Sequence, residues 1–286
     1  MKLPPFEYSC PTSLSDAVAL LAAHGGDAKP LAGGQSLVPM LAFRVAAPTI
    51  VIDLRKLKEL QQIAISDQGV TLGAMVRWRD ILNDTRLRLV HPLLVEAISH
   101  VAHYQIRNRG TVGGSLAHAD PAAEMPGIAV ACDAEIAVAS KAATRTIAAG
   151  GFFRGPLMTA LKSDEIITGI RLPTWPKQRR FGFAEFARRR GDFATAGVAL
   201  FYDEDGGGKA EGAHIGMIGV ADRPLRLTAA ENVLDGKRAD DATIAAVAAA
   251  ASGAVDPPDD IHGSGAYRRV LLHTLVERAL KSAAQS

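Results

Sequence analysis

The chain has 286 residues, 48% of them hydrophobic and 22% charged, with a formal net charge of +2. That length and composition give a folded protein with room for two domains and exclude a disordered one. The near-neutral balance, with no single long basic run, argues against a nucleic-acid-binding protein.

Taken in chain order, Ser13 or Ser15 caps a helix that runs to about Ala23, with Leu14, Val18 and Leu21 on one face. Gly25-Gly26 stops it. Pro30-Leu31-Ala32 reads as a short strand, followed by a glycine turn and one or two helical turns over Leu37 to Phe43. Ile50 to Leu54 is a buried strand by its β-branched run. Ile63 to Ile65 and Val70 to Leu72 flank the hairpin turn Asp67-Gln68-Gly69. Helices are predicted at 77–83 and 90–101. Asp120-Pro121 opens a further helix that contains Glu124. A second hairpin spans 134–139 and 144–148, and a strand from Ile166 to Leu172 is closed by Pro173.

Pro173-Thr174-Trp175-Pro176-Lys177 is the linker candidate. Strands at 180–189, 195–202 and 211–219 follow, with a polar loop from Asp203 to Gly208. Helices are predicted at 225–234, 241–253 and 266–281. Strands and then helices within one region indicate an antiparallel sheet with helices on one face, an α+β layer. The basic segment Lys177 to Arg190 is read first as a solvated edge and second as a surface facing a partner.

Cys10 and Cys132 are the only cysteines. They suit a reducing compartment and are too few for an iron–sulfur cluster, which usually takes four thiolates. The eight histidines show no metal-ligand spacing, so no metal site is expected. No stretch approaches the roughly 18 apolar residues of a membrane span, and Met1 to Phe6 has no secretory apolar segment.

Two glycine clusters carry the chemistry: Ala32-Gly33-Gly34-Gln35-Ser36 and Thr111-Val112-Gly113-Gly114-Ser115. Glycine pairs allow φ > 0 and remove the Cβ that would hold a ligand away. Successive amides in such turns can face one anion, and a neighbouring hydroxyl adds a donor. Two such nests suit the two phosphates of one pyrophosphate. Arg107 and Arg109 flank the second cluster, and the downstream carboxylates can take sugar hydroxyls. Neither cluster has the Rossmann glycine spacing. Taken alone, the first cluster is equally well a plain strand-to-helix turn.

The segments AGGQSLVPML and TVGGSLAHADPAAEMP resemble the two FAD-binding signatures of the medium, flavin-binding subunit of molybdenum hydroxylases, of the aerobic carbon monoxide dehydrogenase and xanthine dehydrogenase type. The resemblance extends from Lys2 to Tyr8, through Asp164-Glu165-Ile166-Ile167 and Arg190-Gly191-Asp192-Phe193-Ala194, to the C-terminal region. It implies an α+β architecture. A two-subdomain FAD-binding domain of the PCMH (vanillyl-alcohol-oxidase-like) type would occupy 1–175, with subdomains about 1–57 and 58–175. A C-terminal domain with an antiparallel sheet and helices would occupy 178–284.

The resemblance also implies roles. Ala32, Gly33, Gly34, Gln35 and Ser36 with Thr111, Val112, Gly113, Gly114 and Ser115 would wrap the FAD pyrophosphate. Leu37 and Ala117 would line the cofactor, Asp120 and Glu124 would bond to its polar groups, and Ile167 would pack near the flavin ring. Asp192 and Phe193 would approach the ring from the second domain. Gln35 stands where the family often has His, Glu124 where it often has Asp, and Phe193 where it often has Tyr. Ala187 does not match the family's lysine near the flavin edge; Arg188 or Arg189 is the substitute.

The implied function is electron transfer through FAD. The molybdenum cofactor would belong to a large partner subunit and the 2Fe-2S clusters to a small one, in a dimer of heterotrimers. The implied location is cytoplasmic, with a peripheral position at the inner membrane face as a variant. Two other readings compete: a stand-alone FAD-dependent oxidase, for which His118 is the candidate tether, and a non-catalytic nucleotide-binding module.

Overall fold

The computed structural model describes residues 2–285. The first sheet is parallel: β1 (Glu7–Ser9) and β2 (Ala28–Leu31) flank β3 (Ile50–Asp53). Every residue of β3 is buried, as a middle strand covered on both faces should be. Helix α1 (Leu14–His24) buries Ala17, Val18 and Leu21 against this sheet. Ser13 Oγ accepts from the Asp16 N–H at its start, and Gly25, at φ +52°, ends it. Helix α2 (Leu37–Ala42) follows β2.

The second sheet is antiparallel. Its hairpin β4 (Ile63–Ser66) and β5 (Gly69–Gly73) turns where expected. A run of helices follows: α3 (Trp78–Asn83), α4 (Thr85–Val90), α5 (Pro92–His100), α6 (Tyr104–Arg107), α7 (Val112–His118) and α8 (Glu124–Ala131). The chain then re-enters the sheet through β6 (Glu135–Ala139) and β7 (Thr144–Ala148). After α9 (Ala149–Phe152) and the small hairpin β8 (Phe153–Gly155) and β9 (Met158–Thr159), strand β10 (Ile166–Leu172) slots between β5 and β6. One strand thus joins two hairpins into the order β4-β5-β10-β6-β7.

The third sheet is β11 (Arg180–Phe186), β12 (Ala196–Glu204), β13 (Ala210–Ile218) and β14 (Leu225–Arg226), all antiparallel. Helices α10 (Thr228–Leu234), α11 (Asp241–Gly253) and α12 (Gly265–Gln285) cover one face. A Cβ on Gly182 would lie 2.1 Å from the Ala279 carbonyl oxygen, so α12 rests directly on the strand backbone. The expectation of helices on one face alone is incomplete. The other face meets α8, where a Cβ on Gly216 would lie 2.6 Å from Ala131 Cβ. Ala196 to Tyr202 are accordingly buried without a break.

Several boundaries differ from those read in the sequence. The Asp120-Pro121 helix start is wrong: α8 begins at Glu124, and Asp120 instead closes a turn by accepting the Ala122 N–H at 2.9 Å. The strand expected to 189 ends at Phe186, and the helix expected from 225 starts at Thr228. The linker is packed. Trp175 lies 4.6 Å from the His91 ring and 5.2 Å from Phe201. Arg179 stacks 4.5 Å from Phe201 and pairs with Asp203. That removes Arg179 from any free basic surface.

His91 caps α5, its Nδ1 accepting the Leu94 N–H at 3.3 Å, and is 1% exposed. Burial, aided by the Arg179 charge, pushes its imidazole down to about 4. The unfolded chain therefore binds the extra proton. Stability from this group is complete above about pH 6.5 and drains away as pH falls toward about 4, by something of order 3 kcal/mol. In His91→Asn the urea midpoint should drop less between about pH 7 and about pH 5 than in the parent chain; equal drops would contradict this assignment.

Candidate cofactor site

The first glycine cluster leaves the end of β2 and turns into α2. Gly34 holds φ +74°, which favours glycine. Gly33 is required by proximity: a Cβ there would lie 2.2 Å from the Arg109 carbonyl oxygen. The first cluster therefore meets the backbone of Arg109 and Gly110 just ahead of the second, and a Cβ on Gly114 would lie 3.5 Å from Ala32 Cβ. Gln35 Nε2 donates to the Gly33 carbonyl at 2.9 Å, which fixes the turn. The backbone N–H groups of Gly33, Gly34, Gln35 and Ser36 meet no acceptor among the described residues. Exposed to one cavity, they form an amide cradle for an anion.

The second cluster is built differently, and here the expectation of two equivalent nests is corrected. Thr111 caps α7, its Oγ1 accepting from the Gly114 N–H at 3.1 Å. Gly113 and Gly114 are helical and neither has positive φ. Their amides are spent inside the chain. The Val112 N–H donates to the Val76 carbonyl at 2.9 Å, Gly113 to Ala74 at 2.8 Å and Ser115 to Thr111 at 3.0 Å. The glycines serve close packing: a Cβ on Gly113 would lie 2.6 Å from Ala74 Cβ, and one on Gly114 2.8 Å from Thr111 Oγ1. The hydroxyls of Thr111 and Ser115 are what this wall offers a ligand.

A single cavity of about 1690 Å³ runs between these walls and on to the third sheet. It is lined by Ala32, Gly33, Gly34, Gln35, Ser36 and Leu37, by Thr111, Gly113, Gly114, Ser115 and Ala117, and by Asp120, Glu124, Ile167, Asp192 and Phe193. Val112 is the exception. Helical geometry turns its side chain into the core, fully buried, and it does not line the cavity. Ile167 reaches the cavity at a register shift in β10. Asp192 and Phe193 sit in the turn after β11, where Gly191 holds φ +89° and Phe193 is 62% exposed. Arg188 and Arg189 line the cavity and Ala187 does not.

Arg268 is a functional residue that no sequence motif marks. From α12 it donates to the carbonyls of Thr195 (2.6 Å) and Gly219 (2.8 Å) and forks onto Asp260. It thereby ties the far wall together. A buried arginine on the apolar face of a predicted helix was the available signal.

Residues 4–175 match the family described as the FAD binding domain in molybdopterin dehydrogenase. Residues 181–283 match the CO dehydrogenase flavoprotein C-terminal domain. The chain belongs to the FAD-binding subunits of the molybdopterin dehydrogenases. It is 39% identical to the 6-hydroxypseudooxynicotine dehydrogenase complex subunit alpha of Paenarthrobacter nicotinovorans, over 99% of this chain and 96% of that one. It is 36% identical to the carbon monoxide dehydrogenase medium chain of Hydrogenophaga pseudoflava, over 98% and 97%. Among solved structures, carbon monoxide dehydrogenase from Hydrogenophaga pseudoflava superposes with a TM-score of 0.95 at 37% identity, covering 99% of this chain and 98% of that one. Quinoline 2-oxidoreductase from Pseudomonas putida 86 does so with a TM-score of 0.95 at 38% identity, covering 100% and 99%.

The donor set fits FAD. The open amides at 33–36 suit a phosphate, and the bare backbone at Gly33 leaves a groove that a Cβ would fill. Glu124 is buried at the start of α8 with no cationic partner among the described residues. Burial, with the nearby Asp120 charge, pushes its carboxyl up to about 7. Among the described residues no group of His, Cys, Asp and Glu is arranged to hold a metal, and no helix is long and apolar enough to cross a membrane.

Proposed function

We propose that this chain is the FAD-holding electron-transfer subunit of a molybdenum-containing hydroxylase or dehydrogenase complex. The observation that carries the proposal is the contact of the two glycine clusters across one cavity, with the amides of 33–36 left open to it. When bound, FAD would accept electrons one at a time from 2Fe-2S clusters of a partner subunit and release them, two per reduced flavin, to an external acceptor.

The residues divide the holding. The amides of Gly33 to Ser36 grip the pyrophosphate, and the hydroxyls of Thr111 and Ser115 complete its shell. Leu37, Ala117 and Ile167 supply apolar surface. Asp120 and Glu124 bond to hydroxyls or other polar atoms. Asp192 and Phe193 close the cavity from the third sheet. We divide the chain into an FAD-binding domain, 1–175, and a C-terminal domain, 178–284; the family matches at 4–175 and 181–283 support that division.

Relatives named as a complex subunit and a medium chain support partners for this chain as well: a large molybdenum-binding subunit and a small iron–sulfur subunit, in a dimer of heterotrimers. They disfavour a stand-alone oxidase. Cytoplasmic location belongs to the same proposal. The chain purified with its partners should carry one FAD per copy, released free on denaturation. A complex without flavin that takes up none from solution would overturn the function; flavin still attached after denaturation would restore the oxidase.

A further inference from the structure

Two carboxyl groups near the start of α8 lack counter-charges: Glu124, which lines the cavity, and Glu185 of β11, which does not. Glu185, Gly197 and Ile218 stand in register across β11, β12 and β13. Their face of the sheet is the one that carries Gly216 against Ala131 of α8, because the next row in register is Phe183, Ala199 and Gly216. Residues two apart on a strand share a face. α8 rests on the first row: a Cβ on Gly127 would lie 2.4 Å from Ile218 Cγ1. Glu124 is one turn ahead of Gly127 on the same side of the helix, so it sits above that row. A Cβ on Gly197 would lie 3.6 Å from Glu185 Cγ, so the Glu185 stem lies alongside bare glycine backbone.

Both acids are poorly served as anions. Glu124 is 6% exposed, and its carboxyl makes no ion pair among the described residues. Glu185 Oε2 is sealed from solvent with no hydrogen-bond partner. The other titratable and charged groups around them do not compensate. Asp120, leading into α8, adds negative charge. His100 on α5 stacks 4.9 Å from Phe183, two residues from Glu185 on the same strand, and is engaged with Glu96. Arg268 is committed to two carbonyls and Asp260. An ionised carboxylate left buried without donors is costly. Burial and the Glu124 charge push Glu185 up to about 8, as burial and Asp120 push Glu124 to about 7.

We propose that Glu124, in the cavity wall, and Glu185, packed in the sheet behind it, form a proton-holding pair that presents a carboxyl O–H donor to the bound cofactor in place of a carboxylate acceptor. Glu185 is the positioning residue: it keeps the proton on the pair while Glu124 faces the cavity. Delivery of that O–H to a ligand rests on the FAD assignment above; the proton itself does not.

The sign of the linkage is fixed. The folded pair holds a proton that the unfolded chain releases, so its contribution is full at low pH and is lost as pH rises through about 7 and 8. The test compares melting temperatures of the full chain and of Glu185→Gln, an isostere of the protonated acid. The variant should melt about 4 °C or more above the parent at about pH 9 and match it at about pH 5. A difference that is the same at both pH values would overturn the proposal. If the variant does not fold, the infrared carbonyl band of a protonated carboxylic acid in the parent chain decides. It should be present at about pH 6 and lost by about pH 9, and its absence at the lower pH would defeat the pair. FAD affinity supplies the second arm. It should weaken several-fold from about pH 6 to about pH 9 in the parent and by less in the variant; an equal slope in both defeats the O–H donor. A chain that binds no FAD at any pH overturns the cofactor assignment, and the melting comparison still decides the proton pair.

Discussion

Gly33→Val should yield a folded chain that purifies without flavin. A Cβ at this position would stand 2.2 Å from the Arg109 carbonyl oxygen and 2.8 Å from its carbonyl carbon. Backbone cannot rotate away as a side-chain tip can, so the two loops must part by about an ångström or more. The open amides of 33–36 would then no longer face the hydroxyls of Thr111 and Ser115 across a single diphosphate. Each charge-assisted hydrogen bond lost removes about 1.5–3 kcal/mol, so two lost bonds weaken FAD at least about a hundredfold. Titration of apo-chain with FAD, followed by flavin fluorescence, measures it. Gly26→Ala is the control, because nothing lies within 4 Å of a Cβ there. Gly114→Val attacks the opposite wall by displacing Thr111 Oγ1, only 2.8 Å from the added carbon, and should weaken FAD in the same direction. Parent-like affinity in the Gly33 variant would show that the clusters do not act on one ligand.

The second large effect is expected at the seat of α8. Gly216→Val places a Cβ 2.6 Å from Ala131 Cβ, 3.1 Å from Ala131 Cα and 3.2 Å from the Gly127 carbonyl oxygen. The helix cannot simply back away, because every residue of α8 is buried and α5 and α7 pack against it. Overpacking of this kind costs about 3 kcal/mol, or some 6–10 °C in melting temperature for a chain of this size. The damage should reach the cavity. α8 carries Glu124, and the Gly219 N–H holds the Pro121 carbonyl at 2.9 Å just ahead of it. FAD affinity should therefore fall together with stability. Gly150→Ala, where a Cβ meets open space, should change neither. An unchanged melting curve for the Gly216 variant would mean that the third sheet does not bear on α8 as described.

Much of the fold was legible because its signals are local. Ser13 and Gly25 bracket α1 as cap and stop. Pro173 ends β10 at the residue foreseen, since proline cannot donate to the ladder. The Asp67-Gln68-Gly69 turn set its hairpin, with Gly69 at φ +118°. What stayed hidden depends on partners distant in sequence. A glycine pair looks the same whether it serves positive φ, as Gly34 does, or close approach, as Gly113 does against Ala74. Val112 shares a motif with Gly113 yet points the other way, because α7 begins between Thr111 and it. The unbroken apolar run of β12 implied burial on both faces, but nothing local named α8 as the cover. Glu185 and Arg268 belong to no motif; only tertiary packing buries the one in the sheet and brings the other to the cavity. The two-residue strands β9 and β14 are too short to show a period.

The central claim is one diphosphate held between two dissimilar walls, amides on one side and hydroxyls on the other. A crystal structure of the chain with FAD tests it most directly. Phosphate oxygens should lie about 2.7–3.2 Å from the amide nitrogens of Gly33 to Ser36 and within similar reach of a Thr111 or Ser115 hydroxyl. A diphosphate seated elsewhere, or held by one wall with the other out of reach, would contradict it.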